Sequence, residues 1–407
     1  MVAGGASIFG VDWMNVGYRG RLFTTIRLMQ LPEPSDDALA VSRALSSLIR
    51  KEILRHAGWI SFARFMELAL YAEGLGYYAG GSTKLGNDGD FTTAPEITPL
   101  FGATLARFAA ELAGNAPVRI MEFGAGTGKL ARDMLQSLAA EGRIVEDYAI
   151  VELSGELRHR QQTLLADFPS VRWLDAPPAA FSGLVLGNEV LDAMPVHLVV
   201  KAGGSWFERG VSENDGNFAF ADRECDLALV AQIPDAAFLP DGYLTEVHPV
   251  QVGFMRCVAT MLCAGKGGAA LLIDYGFPAR EYYLAQREQG TLMCHYRHRS
   301  HPDPFFQVGL QDITAHVDFT AVAKAALDRG LSELVYMSQA AFLLQAGLPE
   351  LLQRSAPADV LEWLPQANAV QKLTSPAEMG ELFKVLVVGK GVSIPERFLR
   401  LDRSARL

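Results

Sequence analysis

Apolar residues recur at three- and four-residue steps at Ala38, Val41, Leu45, Leu48, Ile49 and Ile53, the period of a helix that turns one face inward. A second helical stretch is predicted over Phe62 to Tyr71. From Gly74 to Gly102 the pattern lapses into Gly, Thr, Pro and Asn, a run of turn formers too long for an ordinary connection. Within it, Gly80 to Pro99 reads as a lid over a binding site. A helix over Leu100 to Leu112 follows, and then strands and helices alternate. The strand VRIMEFG leads to a helix over Lys129 to Ala140, YAIVEL to a helix over Gly155 to Phe168, and the strands VRWL and LVLGNEV come next. Such alternation requires right-handed crossovers and therefore a mostly parallel sheet.

The alternation stops after Pro195. From Val196 to about Tyr243 short strands separated by Gly-rich turns read as an antiparallel insertion. AALLIDYG resumes the sheet at Ala269, and Phe277 to His316 reads as a second long irregular stretch. A helix over Phe319 to Asp328, the strand LSELVYM, a helix running into Leu344 and a last strand over Phe383 to Lys390 complete the chain. The expected fold class is α/β: a Rossmann-like sheet with an N-terminal helical region and an antiparallel β insertion. The expected divisions are a flexible arm over 1–35, a helical region with the lid over 36–115, a ligand-binding core over 116–195, the insertion over 196–247 and the rest of the core over 248–407.

Composition narrows the function. About half of the 407 residues are apolar, enough to bury one large core or two moderate ones. Lys and Arg number 36 against 46 Asp and Glu, a net charge of -10 without a basic stripe, which makes nucleic acid an improbable partner. Cys225, Cys257, Cys263 and Cys294 include no CxxC pair and read as thiols of a reducing compartment. No apolar run approaches the roughly 18 residues that span a bilayer, so membrane insertion is not expected. From Met1 to Gln30 the charged residues are Arg19, Arg21, Arg27 and Asp12, a weak match to a mitochondrial presequence. The favoured reading makes Met29 the natural start. The expected location is cytoplasmic, or the mitochondrial matrix if the arm is a presequence.

The strongest chemical signal is IMEFGAGTGKL, where a strand runs through Glu122 into Gly124, Ala125, Gly126 and Gly128 and a helix follows. A P-loop would need glycine at Phe123 and Ser or Thr at Leu130, so that reading fails. The dinucleotide fingerprint G-x-G-x-x-G does not match G-x-G-x-G either. E-x-G-x-G-x-G, the nucleoside-binding turn of class I S-adenosylmethionine methyltransferases, matches throughout. Glycines let the backbone approach the ribose and amino-acid portion of the cofactor and accept dihedrals closed to other residues. Glu152, followed by Leu153, ends the next strand, where a carboxylate can accept both ribose hydroxyls. Asp175, after VRWL, is a candidate acceptor for the adenine amine and equally a cap or surface residue. Beyond the strand LVL lie Asn188, Glu189 and Asp192, the place where reacting groups gather in a doubly wound sheet. If a helix begins there, Glu189 and Asp192 share one side of its first turn. Helix capping is the competing role for Asp192.

The residues resemble the MidA-like S-adenosylmethionine-dependent methyltransferases. The resemblance runs from about Leu31 to Ile394 and rests on ISFARFMELALYAEGLGYY, GDFTTAPEITPLFG, EFGAGTGKLARDML, VLGNEVLDAMPVH, IDYGF, TAHVDF and SPAEMGELFKVL. It implies S-adenosyl-L-methionine as cofactor and a lid that touches it at Thr93 and Pro95. It also implies His316 beside the acceptor pocket and, by analogy with a mitochondrial member that assists assembly of respiratory complex I, arginine methylation of a complex I subunit or similar protein. A guanidinium is always protonated, and a fork of two carboxylates could fix its plane, so Glu189 and Asp192 become acceptor candidates with Asn188 holding their geometry. A small-molecule or other side-chain acceptor, and a non-catalytic assembly factor, stay open, as does a homodimer. HYRHRSHPDP carries more histidines than the family's Tyr-Arg loop. His295, His298 and His301 nevertheless lack the carboxylate or thiolate partners of a metal site, and none is expected.

Overall fold

The computed structural model describes residues 31–80, 93–354 and 360–407, with Pro34–Leu407 forming one compact unit. The N-terminal arm and residues 81–92 of the expected lid lie outside the described residues.

Ser35 accepts the Ala38 N–H and starts helix α1 (Asp36–Arg55), which buries Leu45, Ile49 and Ile53 on one face. Strand β1 (Ile60–Ser61) leads to α2 (Phe62–Tyr71), capped by the Ser61 hydroxyl. After the lid come the short α3 (Ala94–Ile97) and α4 (Pro99–Ala113), the latter opened by Thr98 and by proline in its first turn. The core then alternates as expected through β2 (Val118–Phe123), α5 (Lys129–Ala140), β3 (Val145–Val151), α6 (Gly155–Leu164), β4 (Val171–Leu174) and β5 (Gly183–Asn188). Helix α6 stops at Leu164, short of the expected Phe168: past the Leu165 cap the Phe168 N–H bonds the Leu165 carbonyl at 3.0 Å in a tighter turn that does not continue the helix.

The antiparallel segment comprises β6 (His197–Ala202), β7 (Ser205–Asn214), β8 (Asn217–Glu224) and β9 (Leu244–Val247). It recruits β1, with Ile60 opposite Val211, so the N-terminal helices and the insertion build one shared lobe. Strand β10 (Gly268–Phe277) returns to the core. The stretch expected to be irregular contains a small sheet, β11 (Met293–Tyr296), β12 (Arg299–His301) and β13 (Asp312–Thr314), in the order β12-β11-β13. Its hairpin turns on Arg297 and His298, at φ 47° and 61°, a left-handed pair that no Asn-Gly signal announces. Three further strands complete the chain: β14 (Val317–Asp318), β15 (Glu333–Ser338) and β16 (Phe383–Lys390).

The central sheet runs β15-β16-β10-β5-β2-β3-β4, with β14 attached to β10. Strands β2 to β5 and β10 are parallel, and β16 is antiparallel to both neighbours. The chain winds outward from β2 through β3 to β4 and then returns to β5 on the other side of β2. The switch therefore falls between β2 and β5, where Phe123 pairs with Gly187, and the loops leaving both strands emerge side by side. One sheet face packs on Phe108, Phe342 and Phe398, and on the other face Tyr336 of β15 packs against Phe319.

Candidate functional site

The loop leaving β2 places Gly124, Gly126 and Gly128 at φ 61°, 54° and 85°, all in the left-handed region that favours glycine. A Cβ on Gly128 would meet Gln161 Cγ at 3.2 Å, so the turn is closed from behind by α6 and keeps its open side for a ligand. Glu152, buried at the end of β3, accepts the Ser154 N–H at 2.9 Å on Oε1 and the Gln161 amide at 2.9 Å on Oε2. Each oxygen retains a further acceptor site, the requirement for holding two hydroxyls. Burial raises this carboxyl above its ordinary value while those donors pull it back.

Gln161 is fully buried and also donates to the Gly126 carbonyl at 2.9 Å and accepts from Trp173 Nε1 at 3.0 Å. It locks the glycine turn to the acidic residue. Glu122 lies deeper, accepting the Tyr148 hydroxyl at 2.7 Å, and its burial pushes it up to about 7. Leu153 is 78% exposed beside Glu152, an apolar surface in the open. Asp175 is 92% exposed and pairs with Arg158 at 2.7 Å, so it stands at the rim and not inside the turn. These residues fit a nucleoside: a glycine cradle, a buried carboxylate with spare acceptor sites and an apolar shelf.

The loop leaving β5 carries the second half of the site. No helix forms there, contrary to the expectation that put Glu189 and Asp192 on one helical turn. Other parts of the chain seize the loop's backbone instead. Asp274 on β10 accepts the N–H groups of Leu191 and Asp192 on Oδ2 at 2.9 and 3.2 Å. Gln251 holds the Leu191 carbonyl at 2.8 Å, the Ala315 N–H holds the Asp192 carbonyl at 3.0 Å, and Tyr71 holds the Ala193 carbonyl at 2.9 Å. Glu189 sits at φ 53°, a strained setting for a residue with a Cβ that persists because its surroundings over-determine it.

Asn188 Nδ2 donates to Glu189 Oε1 at 3.0 Å, and the Ala94 N–H of α3 also bonds this carboxyl. Tyr275 bonds the Asp192 carboxyl. Across from them, Tyr78 donates to Asp312 Oδ2 at 2.8 Å and stacks on Tyr71. Desolvation and then the nearby Asp192 charge push Glu189 up to about 8. Burial likewise raises Asp192 to about 6 and Asp274 well above its ordinary range. Among the described residues no Lys or Arg forms an ion pair with Glu189, Asp192 or Asp274. Asn188 Oδ1 is a buried acceptor with no hydrogen-bond partner among the described residues.

His316 stacks on Phe277 with ring centroids 5.2 Å apart and meets Tyr275 edge-on at 5.0 Å. It thus neighbours the loop leaving β5 through Tyr275, which bonds the Asp192 carboxyl. Desolvation, then the Arg287 charge, lower it to about 3. Thr93 caps α3 and Pro95 is buried within it. The residue after them, Glu96, accepts the Thr127 hydroxyl of the glycine turn at 2.6 Å, and its carbonyl accepts Lys129 Nζ at 2.9 Å. His295 lies on β11, His301 on β12 and His298 in the turn between them. Among the described residues no cluster of His, Cys, Asp or Glu has the makings of a metal site. Sequence reasoning missed Glu96, Gln161, Asp274 and Asp312 as site residues, although Glu96 and Asp274 lie within the segments GDFTTAPEITPLFG and IDYGF.

A parallel sheet switching between β2 and β5, with a glycine turn on one loop and an acid at the end of the neighbouring strand, defines a class I S-adenosylmethionine-dependent methyltransferase. The chain belongs to the family described as putative S-adenosyl-L-methionine-dependent methyltransferases, whose model matches residues 100–337. It is similar to a likely methyl transferase from Burkholderia thailandensis, solved bound to S-adenosyl-homocysteine, at 53% identity and TM-score 0.87 over 93% of this chain and 100% of that one. It is also 27% identical over 435 residues to the mitochondrial protein arginine methyltransferase NDUFAF7 of Homo sapiens, covering 96% of this chain and 91% of that protein. The Drosophila melanogaster homolog is 27% identical over 406 residues, 89% of this chain and 88% of its own length. The protein is therefore an enzyme that uses S-adenosyl-L-methionine. No helix among the described residues is long and apolar enough to cross a membrane.

Proposed function

We propose that this methyltransferase acts on arginine side chains of a protein, with a respiratory complex I subunit or a similar protein as acceptor. The observation that carries the reading is a set of buried acceptors, the Glu189 and Asp192 carboxyls and Asn188 Oδ1, with no cation beside them among the described residues. Burial holds these carboxyls up to about 8 and about 6, and a guanidinium would offset that with donors in a planar fork. The names of the relatives point to the same acceptor.

In this reading Gly124, Ala125, Gly126, Gly128, Glu152, Leu153 and Asp175 hold the cofactor, with Glu122 bracing the turn from below and Thr93 and Pro95 closing over it. The cofactor supplies a methyl group already activated on a sulfonium, so the protein's work is alignment and exclusion of water. Glu189 and Asp192 fix the guanidinium plane and draw its positive charge toward themselves, leaving the target nitrogen richer in electrons. That nitrogen must shed one proton as it gains the methyl group, and in this reading the ionised Glu189 carboxylate takes it. Asp274 and Tyr275 keep the fork in position.

The test is to incubate the protein and methyl-labelled S-adenosylmethionine with lysate from cells lacking this gene product, then identify the labelled species by mass. Label on arginine within a peptide is the expected result. Label on a small molecule or another side chain overturns the acceptor assignment, and cofactor binding without any transfer overturns the enzymatic role on protein.

A further inference from the structure

The two halves of the site are bonded to each other through a segment that belongs to neither. Helix α3 lies between the glycine turn and the acceptor loop. At its start, the Ala94 N–H bonds the Glu189 carboxyl. Two residues on, the Glu96 carboxyl accepts the Thr127 hydroxyl at 2.6 Å, and Lys129 Nζ reaches the Glu96 carbonyl at 2.9 Å and its carboxyl at 3.8 Å. Thr127 stands between Gly126 and Gly128, within the cofactor cradle. Ala94 and Pro95 are buried, so the segment has little room to slide without breaking one anchor or the other.

We propose that Glu96 is a positioning residue that ties the cofactor turn to the acceptor carboxyl Glu189 through α3. A rigid segment bonded at both ends transmits a change at one end to the other, and the coupling is reciprocal. A cofactor turn settled around its nucleoside holds α3, and α3 holds Glu189 in its strained backbone setting. Conversely, loss of Glu189 frees α3 and loosens the grip on Thr127. The charged groups facing Glu189 are Asp192 on its own loop and, from other elements, Asp274 on β10 and Asp312 on β13, all acidic, so the Ala94 N–H and Asn188 are the donors that hold it. The inference uses the acceptor reading only for the role of Glu189; the bonds themselves stand without it.

The experiment is a double-variant cycle read by calorimetric titration of S-adenosylhomocysteine alone, on Glu96→Ala, Glu189→Ala and the pair together. Circular dichroism and thermal melting of each variant identify any that fails to fold. Loss of a net hydrogen bond predicts roughly 3- to 10-fold weaker binding for Glu96→Ala and about 3-fold for Glu189→Ala. The pair should bind no worse than Glu96→Ala, because both changes cut the same strut. Thr127→Val, which removes the same bond from the other side, should match Glu96→Ala. Glu96→Gln keeps an oxygen for the Thr127 proton and should restore affinity. Losses that multiply in the double variant overturn the proposal, as does unchanged affinity in either single variant or failure of Glu96→Gln to rescue. No acceptor is present in this titration, so a non-arginine acceptor found by mass identification would leave the outcome of the cycle intact.

Discussion

Asp192→Asn separates the acceptor site from everything else the loop does. The side chain keeps its volume and loses its charge, while the bonds that fix the loop run through backbone groups of Leu191, Asp192 and Ala193 and remain available. Holding this buried carboxyl at about 6 instead of its ordinary 3.8 costs on the order of 3 kcal/mol for the ionised form at neutral pH. Removing the charge therefore stabilises the ligand-free protein by ~1 to 3 kcal/mol near pH 8, and also eases Glu189, whose upward displacement owes part to Asp192. Methyl transfer moves the other way. Loss of an electrostatic group that orients the reacting nitrogen costs ~10²-fold in single-turnover rate, with cofactor affinity nearly unchanged. Thermal melting, calorimetry with S-adenosylhomocysteine and single-turnover transfer of labelled methyl give the three readouts on one preparation. Normal transfer, or cofactor affinity falling in step with activity, would refute the reasoning and return Asp192 to a purely structural or cofactor-binding role.

Further expectations follow from the same geometry. Gly126→Val forces a branched residue into φ 54°, and Glu152→Ala removes the buried acceptor, so each should weaken S-adenosylmethionine binding by ~1 to 3 kcal/mol by calorimetry; unchanged affinity in both would sink the cofactor assignment. Chelator treatment should leave transfer intact, and a stoichiometric metal whose removal abolished it would overturn the reading of His295 to His301. Glu189, Glu122 and Asp192 bind protons more tightly folded than unfolded, so their stabilising contribution is complete below 3.8 to 4.5 and is lost as pH rises through about 6, 7 and 8. His248, His316 and His295, held neutral, act in the opposite sense but only below 6.5. The ligand-free protein should therefore melt at a lower temperature at about pH 8.5 than at pH 6.5, less so in Asp192→Asn, and a rise across that window would contradict the account.

What could be read from the sequence was local. The β2 strand, its glycine turn and α5 are contiguous, and Glu152 follows one crossover later, so a short window contains both the glycine turn and its acidic neighbour. The acceptor half is assembled from distant pieces. Nothing near Leu191 shows that Asp274 and Gln251 will grip it, and that grip replaces the expected helix with a turn and sets Glu189 at positive φ. Gln161 reads as an ordinary polar helix residue until the fold brings Gly126, Glu152 and Trp173 to it. The β11–β12 hairpin was hidden because Arg297 and His298 occupy left-handed positions that turn statistics reserve for Asn and Gly. Among the candidates named from the sequence, Asp175 is salt-bridged to Arg158 at the surface.

The pairing of Ile60 with Val211 dictates the order in which the chain can fold. During synthesis α1 and α2 emerge early with Leu45, Ile49, Phe62 and Phe65 turned toward a core that does not yet exist. Phe65 finds Phe218 only when the insertion is complete, and Phe305 only after most of the central sheet has been made. Closure of this lobe is thus a late, long-range event, slow by the cost of bringing remote segments together. Until the insertion is made, Leu45, Ile49, Phe62 and Phe65 lack the partners that bury them in the finished lobe, the kind of transiently exposed apolar surface that makes incomplete chains prone to aggregate.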